Sequence, residues 1–481
     1  MITERIDFKK NSVEALKSPK LKKALVNFTD RSRVFRRKAV NEVSEWEELR
    51  SEARRIKEDV INNLDSYLLE LERSVIRMGG NVHWAKDAEE ASSIVVNIAR
   101  ENNVRNVVKS KSMATEEIEL NRHLISNGIN TVETDLGEYI VQLCDDHPFH
   151  IIAPAIHKTK EDISKLFSEK FGVPEYEEPE KLTEIARKKL REKFLSADMG
   201  VSGVNFAVAE SGTIAIVENE GNARLATTFP DIHVAIMGIE KIVPKFEQLS
   251  IFLSLLARSA TGQKSSTYVS LITGPRREGE SDGPRQFHLV FLDNGRSDIA
   301  RSEETKESLY CIRCGACINI CPVYRQVGGH SYGWVYSGPI GAVITPQLND
   351  LEKTADLPFA SSLCGACRDV CPVKIDFPHV LLSLRQKVVE QGRKKPDPAG
   401  FMEKIAFRVW SFVFSKPFYY NLTGRVMVFL QYFYQKGNEL EGLPYAFSKW
   451  TREKNFPAFS KKPFRQRWKE KYHREDGTGL R

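Results

Sequence analysis

The chain has 481 residues, 41% of them hydrophobic and 28% charged, a balance that excludes a collagen-like or wholly disordered protein. The formal net charge of +7 selects no class of partner by itself, and this length suits two to four domains. No uncharged apolar run reaches the roughly 18 residues that a membrane-spanning helix requires, and the start MITERIDFKK lacks the apolar stretch of a secretory signal. We therefore expect a cytoplasmic protein.

The first 80 residues predict an N-terminal helical segment. Apolar residues recur at steps of three and four between Trp46 and Met78, which is typical of one amphipathic helix packed on the rest of the protein. The pair Gly79-Gly80 is predicted to end that helix. The pattern indicates packing and no chemistry.

Residues 81–300 change to short apolar runs separated by helical stretches, which predicts an α/β domain with a sheet buried under helices. The strand candidates are residues 104–108, 151–156, 234–239, 268–272 and 287–292. Alternation at 204–208 and again at 214–216, around a turn at 210–212, predicts a β-hairpin. Residues 93–98 fit a helix or a strand, and residues 246–260 have helical spacing.

Seven of the eight cysteines fall within residues 311–371, in a predicted domain at 301–385. The first run, CIRCGACINICP, begins at Cys311 and has the C-x2-C-x2-C-x3-C-P spacing of a bacterial ferredoxin. Three thiolates at this spacing wrap a short loop around one cubane iron–sulfur cluster, and in two-cluster ferredoxins the fourth ligates the other cluster. The remaining Cys144 lies apart and is assigned no role.

The second run, SSLCGACRDVCP, begins at Ser361 and repeats the first with a serine in place of the leading cysteine. Cross-ligation predicts a first ligand set of Cys311, Cys314, Cys317 and Cys371, and a second of Cys321, Cys364 and Cys367. The fourth position of the second set, at Ser361, stays open. Three thiolates there suit a three-iron cluster, or a four-iron cluster with serine, water or another ligand at one iron.

Zinc is the structural alternative, because C-x2-C pairs also occur in zinc ribbons. Two Cys-Pro endings and three-cysteine runs fit iron–sulfur clusters far better. A radical enzyme's C-x3-C-x2-C would need a cysteine where Tyr324 or Lys374 stands. No G-x-G-x-x-G follows a predicted strand, so no NAD or FAD site is indicated. A protein with clusters and no hydride-handling cofactor suits electron relay better than reaction with substrate.

The segment between the two runs, at 327–341, is rich in glycine, which permits close approach to a partner or cofactor. His330, Tyr332 and Trp334 are candidates for an electron path out of the clusters, with a tightly packed loop as the plain alternative.

Polar and glycine residues concentrate near predicted strand ends in the α/β domain, where such folds bind ligands. The segments are 198–205, 210–213, 218–224, 273–277 and 293–296. Lys109 and Lys111 follow a predicted strand, where they suit an anionic group. Together these residues indicate a pocket as the alternative to ordinary turns and surface pairs.

These motifs resemble those of the lactate-utilisation iron–sulfur protein family, LutB or YkgF, and the resemblance covers nearly the whole chain. Its most specific piece is LYCIRCGACINICPVYR at 309–325, followed by a Gly-His-Ser-Tyr-Gly loop, and SSLCGACRDVCPVKI is similar down to its leading serine. Residues 81–300 resemble the LUD domain through GVNFAVAESGTIAIVENEGNARL and FLDNGRSDI. Residues 386–481 resemble the LutB C-terminal extension.

The resemblance implies an α/β LUD domain related to ribose-phosphate isomerases and CoA transferases, preceded by the helical segment at 1–80. An α-helical ferredoxin-type domain with two iron–sulfur clusters, expected as 4Fe-4S, and a basic aromatic extension would follow. The implied activity is electron transfer during oxidation of L-lactate to pyruvate, which lets lactate serve as a carbon source. The implied partners are a cysteine-rich CCG-domain protein and a second LUD-domain protein.

The resemblance carries over the seven motif cysteines as cluster ligands and no residue as acid, base or nucleophile. No catalytic residue is therefore assigned, and the protein is expected to be an electron-transfer subunit rather than the catalytic site. In the LUD domain, Lys111, Glu210 and Asn219 are candidates for ligand contact.

Two other functions stay open. One is the iron–sulfur subunit of a glycolate-type oxidase, although an upstream LUD domain is not expected there. The other makes the LUD domain an enzyme or sensor acting on a sugar phosphate or CoA ester, with the clusters reporting redox state.

A basic aromatic tail follows a predicted linker at 391–398. Residues 401–481 carry 16 basic and 7 acidic side chains and 20 of the chain's 46 aromatic ones. Such a surface suits the inner membrane face, with a link to quinone, or an obligate protein interface. We slightly favour the protein interface and expect no nucleic-acid role, because no recognition motif accompanies the charge.

Overall fold

A computed structural model describes residues 2, 4–393, 398–443, 448, 451 and 456–472. The chain divides into two compact units, residues 1–389 and 390–481. Of the predicted linker, residues 394–397 lie outside the described part, as do residues 473–481 of the predicted extension.

Four helices open the chain: α1 Phe8–Leu16, α2 Pro19–Asn41, α3 Trp46–Asn62 and α4 Leu64–Arg77. The prediction of one helix from Trp46 to Met78 is wrong, because the backbone leaves helical geometry at Asn63, with φ −125° and ψ 35°. The Asn63 amide donates to the carbonyl and carboxylate of Asp59, a local bond that competes with continuation of the helix. The predicted stop is confirmed, since α4 ends just before Gly79, which has φ +88°.

The α/β region comprises ten strands and nine helices within residues 81–300. The strands are β1 Asn81–Ala85, β2 Asn106–Lys109, β3 Asn130–Glu133, β4 Met199–Gly203, β5 Phe206–Val208, β6 Thr213–Glu218, β7 Ile232–Gly238, β8 Ile242–Val243, β9 Tyr268–Ile272 and β10 Gln286–Leu292. The helices are α5 Ala88–Glu101, α6 Met113–Glu117, α7 Leu120–Ser126, α8 Leu136–Leu143, α9 Lys160–Phe171, α10 Pro179–Leu195, α11 Asn222–Thr228, α12 Phe246–Ala260 and α13 Arg296–Ala300.

Six strands form a parallel sheet in the order β1-β10-β7-β4-β2-β3. Its central strand β7 is buried along its whole length, as the continuous apolar run IHVAIMG requires of a strand covered on both faces. The predicted α/β architecture, with a sheet buried under helices and a helical N-terminal segment, is confirmed, and the structure adds that the sheet is parallel.

A second, mixed sheet has the order β8-β5-β6-β9. Strands β5 and β6 pair antiparallel, with Phe206 opposite Ala215 and Val208 opposite Thr213, so the predicted hairpin is confirmed. The predicted helix at 246–260 is also confirmed as α12, and residues 93–98 lie in helix α5.

One strand prediction is wrong, and some observed strands were not predicted. Residues 151–156 form an irregular loop, and Pro154 within it has no N–H to give to a ladder. Residues 199–203, interpreted as a polar strand end, are the buried strand β4, where Gly200 lies so close to the Ala226 carbonyl that a Cβ would clash. Strands β1 and β3 were not predicted because both are short and polar at their first residue.

Residues 301–393 contain helices and no strand. These are α14 Ala316–Ile320, α15 Tyr324–Val327, α16 Gly338–Leu348, α17 Ala366–Val370 and α18 Phe377–Arg393, with short 3₁₀ turns between them. One apolar core runs through the N-terminal helices, the second sheet and this cysteine region. The three parts therefore pack as one body.

The unit at 390–481 contains α19 Pro398–Ser415, α20 Pro417–Leu430, the short strands β11 Gln435–Lys436, β12 Glu439–Leu440 and β13 Phe456–Pro457, and α21 Phe464–Tyr472. None of residues 404–430 in α19 and α20 is buried. Within the described residues, every helix falls short of the length or apolarity needed to cross a membrane.

Candidate iron–sulfur centre and adjoining cavity

The two cysteine runs adopt the same backbone conformation. Arg313 and Leu363, each two residues after the start of its run, have φ +60° and +54°. Gly315 and Gly365 then adopt φ +74° and +80°, and each leads into a five-residue helix, α14 or α17. The left-handed glycines turn the chain tightly between the second and third ligand positions, so the repeat in the sequence is also a repeat in the fold.

Ser361 occupies the same place in its run as Cys311. The Arg313 N–H donates to the Cys311 sulfur at 3.4 Å, and the Leu363 N–H donates to the Ser361 hydroxyl oxygen at 3.1 Å. The serine oxygen therefore takes the hydrogen bond that a ligating sulfur takes in the first run.

The first group of thiols lies in the interior. Burial, followed by the neighbouring Cys311 and Cys371, raises the pKa of Cys314 to about 12. Burial and the same neighbours, with Cys314, also raise the pKa of Cys317 well above its ordinary value. The Ile375 N–H donates to the Cys371 sulfur at 3.4 Å, so sulfur at this position meets a backbone donor as well.

The second group of thiols is nearer to solvent. Burial raises the pKa of Cys367 to about 12, and Cys321 and Cys364 add to the rise. The pKa of Cys321 is likewise raised, mainly by burial and partly by Cys364. Cys364 itself is exposed, whereas the other six motif cysteines are buried. Thiols that act on one another's pKa and form no disulfide suit a metal cluster, which binds them as thiolates and releases their protons.

Arginines from the N-terminal helices hold the second cysteine run in place. On α3, the Arg50 guanidinium donates to the Cys371 carbonyl at 2.9 Å and, more weakly, to the Arg368 carbonyl at 3.4 Å. Arg36 on α2 donates to the Val370 carbonyl at 2.8 Å. These contacts were not predicted. The sequence does carry a signal for them, because a basic row at steps of three and four lies beside the apolar face of α3, formed by Arg50, Arg54 and Lys57.

The glycine-rich segment between the runs packs against the α/β region. A Cβ on Gly329 would lie 1.8 Å from the Phe149 carbonyl oxygen, and one on Gly328 would lie 2.2 Å from the Phe149 ring. The close approach that these glycines allow is therefore to the polypeptide itself. Tyr332 is fully buried, Trp334 is half-buried, and His330 is exposed with Nε2 2.9 Å from the His147 carbonyl.

A cavity of about 300 Å³ lies between the parallel sheet and the first cysteine run. Residues that follow β2, β4 and β7 line one side, and β6 and α12 line another. Arg313, which stands between Cys311 and Cys314, and Tyr336 line the side that faces the cysteine region. A small-molecule cavity and a cluster-binding loop thus share a wall.

A buried ionic network supports that wall. The Arg296 guanidinium bonds both oxygens of Glu117 at 2.8 Å and Glu240 at 2.8 Å, and all three side chains are almost wholly buried. Arg313 approaches Glu240 at 3.5 Å, and its guanidinium lies over the Tyr336 ring at 4.7 Å. Arg296 holds the pKa of Glu240 down to about 2 against the effect of burial. The network fixes the position of Arg313.

Two of the three residues predicted to contact a ligand in the LUD domain line this cavity, and the third does not. Lys111 and Asn219 line the cavity, and Asn219 also bonds Gln263 and the backbone of Thr267. Glu210 does not line it, because its carboxylate accepts the Phe246 N–H at the start of α12.

Lys109 is fully buried and its ammonium group bonds Glu116 at 2.8 Å and Glu133 at 2.6 Å. The cavity residues Arg313 and Tyr336 were not predicted, since no local pattern in the sequence places a cysteine loop against a strand end.

Comparison with known proteins agrees with this architecture. Residues 68–292 match the LUD domain, residues 307–375 match the 4Fe-4S dicluster domain, and residues 383–473 match the lactate utilisation protein B C-terminal domain. Lactate utilization protein B of Bacillus licheniformis is 45% identical over 473 residues, covering 98% of each chain. The chain belongs to the lactate utilization protein B family. The resemblance found in the sequence is thereby confirmed.

Two further relatives carry the same name. Those of Shouchella clausii and Bacillus subtilis are 46% and 44% identical and cover 96% and 95% of this chain. A solved structure of a DUF162 family protein from Deinococcus radiodurans is 14% identical, with a TM-score of 0.27, and covers 48% of this chain and 98% of its own. That likeness is too low to support a conclusion about the fold.

Proposed function

We propose that this protein is an iron–sulfur electron-transfer protein of L-lactate utilisation, acting in the oxidation of L-lactate to pyruvate. The observation that carries the proposal is the pair of cysteine runs with one backbone conformation, in a chain of the lactate utilization protein B family. When bound, the clusters supply one-electron redox chemistry. The motif cysteines would hold them, and burial of six of these seven residues would limit contact of the clusters with water.

Two clusters fit the donor sets. The first cluster would lie in the buried interior, held by Cys311, Cys314, Cys317 and Cys371. These thiols affect one another's pKa, which supports their proximity. Cys321, Cys364 and Cys367 would hold the second, where Cys364 is exposed. We propose that both are 4Fe-4S clusters and that Ser361 is the fourth ligand of the second, because its oxygen accepts the N–H bond that the Cys311 sulfur accepts.

The second cluster would exchange electrons with partners. Cys364 is the exposed member of the seven motif cysteines, so a redox partner approaches this cluster most closely. The partners we propose are a CCG-domain protein and a second LUD-domain protein. The exposed aromatic side chains of α19 and α20 would form part of an interface with them.

Growth on L-lactate tests the proposal. Deleting the gene from a host with no other lactate-oxidising enzyme is expected to abolish growth on L-lactate and leave growth on glucose unchanged. The wild-type gene should restore growth on L-lactate, whereas a gene carrying Cys317→Ala should not. A gene carrying Cys144→Ala should restore growth, because Cys144 lies outside the cysteine motifs. Normal growth of the deletion strain on L-lactate, or a defect confined to glycolate, would contradict the proposal.

A further inference from the structure

The cavity beside the first cysteine run lies where open α/β sheets bind ligands. From β2 the chain continues to β3 at one edge of the sheet, and from β4 it continues to β7 on the opposite side. The carboxyl ends of β2 and β4 therefore form a topological switch point, where a crevice opens between neighbouring strands. Ser110, Lys111 and Gly203, at or just after those ends, line the cavity.

Donor groups in the cavity wall lack partners. Ser110 is 2% exposed, its hydroxyl has no hydrogen-bond partner, and Arg313, 8% exposed at its side chain, has an unbonded Nη1. Lys111 interacts electrostatically with Glu138 and Glu220, but in the described part of the chain it makes no side-chain hydrogen bond and no ion pair within 4 Å. Buried donors without acceptors are costly, so a ligand that accepts hydrogen bonds here stabilises the site.

The acidic side chains of the wall already have donors. Glu218 accepts the N–H groups of Ala223 and Arg224 at 3.0 and 2.8 Å. Asp135 accepts two N–H groups at the start of α8, and Glu220 accepts the Leu136 N–H at 3.0 Å. Burial, with Asp135 nearby, raises the pKa of Glu220 to about 7. Since these carboxylates already accept hydrogen bonds, the unbonded donors of Ser110 and Arg313 are available to a ligand, while the same carboxylates disfavour a dianion.

We propose that this cavity binds a small organic monocarboxylate, with its carboxylate group at Arg313 and Lys111. A guanidinium group suits a carboxylate because its planar N–H groups match both oxygens. Apolar side chains of Ile152, Val204 and Ile216 line the cavity and would cover a short carbon chain. The choice of a 2-hydroxy or 2-oxo acid within this class rests on the proposed function in lactate utilisation.

Arg313 links the cavity to the first cluster. Its backbone N–H donates to the Cys311 sulfur, and its guanidinium lies against Tyr336 in the cavity wall. A bound carboxylate would add negative charge next to Arg313, a cation within the cysteine loop itself. Occupancy of the LUD cavity is therefore coupled to the electrostatic environment of the cluster, without any bond being formed or broken.

Binding by the anaerobically purified full chain tests the proposal, with L-lactate, pyruvate and inorganic phosphate as probes. In calorimetric titration, L-lactate or pyruvate is expected to bind with saturation at one site per chain. The same ligand should alter the EPR signal of one of the two dithionite-reduced clusters. Inorganic phosphate should do neither.

Variants locate the site. Lys111→Gln, outside the cysteine runs, is expected to weaken binding at least tenfold with unchanged iron content, whereas Lys188→Gln, an exposed lysine on α10, should bind as the wild type does. The proposal would be overturned if neither L-lactate nor pyruvate bound, or if Lys111→Gln left their binding unchanged. It would also be overturned if inorganic phosphate bound and Lys111→Gln weakened that binding. Iron content and cluster spectra are measured in the same samples, so such a failure is distinguishable from failure of the electron-transfer function.

Discussion

Ser361 occupies the position in the second run that Cys311 occupies in the first, and it offers an oxygen where Cys311 offers a sulfur. Both side chains start their run, and both accept the N–H of the residue two positions later. A serine oxygen is a harder ligand than a thiolate, so the iron it binds would differ from the other three of its cluster.

Substitution of Ser361 separates the two kinds of second cluster. Ser361→Ala removes the oxygen and is expected to lower the iron content from about eight to about seven per chain, with a three-iron EPR signal in the oxidised protein. Ser361→Cys should keep about eight irons and make the two clusters alike.

The neighbouring Ser362, which is exposed, provides the matched control, and Ser362→Ala should match the wild type. Unchanged iron content and spectra in Ser361→Ala would contradict serine ligation, and water or another group would then fill the position.

At the scale of elements, helix α3 joins the N-terminal segment to the second cysteine run. Its apolar face packs in the core while Arg50 reaches the carbonyl of Cys371, a proposed ligand of the first cluster. The carbonyls near Cys371 are at the end of α17, where a positive charge complements the partial negative charge of the helix terminus.

Loss of the Arg50 contacts should destabilise the cluster domain. Arg50→Gln is expected to lower the free energy of unfolding by about 2 kcal/mol, the usual range for buried hydrogen bonds from a charged donor. Iron release on urea titration of the anaerobic protein, followed by its visible absorbance, should begin at a lower urea concentration.

Arg55→Gln on the same helix is the control. Arg55 is exposed and pairs with Glu52 on the protein surface, so its loss should leave the urea concentration at which iron is released unchanged. Equal effects of the two substitutions would contradict the role given to Arg50.

Local patterns in the sequence predicted the local features of the fold. The cysteine spacing predicted the repeated loops, and alternation around residues 210–212 predicted the β5–β6 hairpin. Features that join distant segments were not predictable in this way. Arg50 and Cys371 are separated by 321 positions, and Arg313 reaches a cavity built largely by strands more than 70 positions earlier. Strand β4 was missed because Gly200 and Gly203, which sterics require there, have low strand propensity.

At the scale of the whole molecule, the α19–α20 pair presents an unusual surface. Phe418 and Phe429 are each 70% exposed, and Trp410 is 59% exposed. An apolar surface of this extent needs a covering partner or membrane.

Substitutions in this helix pair distinguish a protein partner from a membrane. The double variant Phe418→Glu, Phe429→Glu is expected to lose co-purification with the proposed CCG-domain partner at unchanged iron content. Phe229→Glu, at an exposed phenylalanine of the first unit, should retain it. A different result would assign the surface to the membrane. In that case the wild-type protein would co-sediment with anionic vesicles, and the double variant would not, although it still bound the partner protein.

An electron relay through two iron–sulfur clusters in one compact body requires that both clusters be present, and the metal content of the purified protein shows whether they are. The protein purified without oxygen would be assayed for iron, sulfide and zinc, with EPR spectra recorded before and after reduction with dithionite. We expect about eight irons and eight sulfides per chain and, after reduction, the spectrum of two interacting cubane clusters. A colourless protein that holds zinc and no iron would contradict the account.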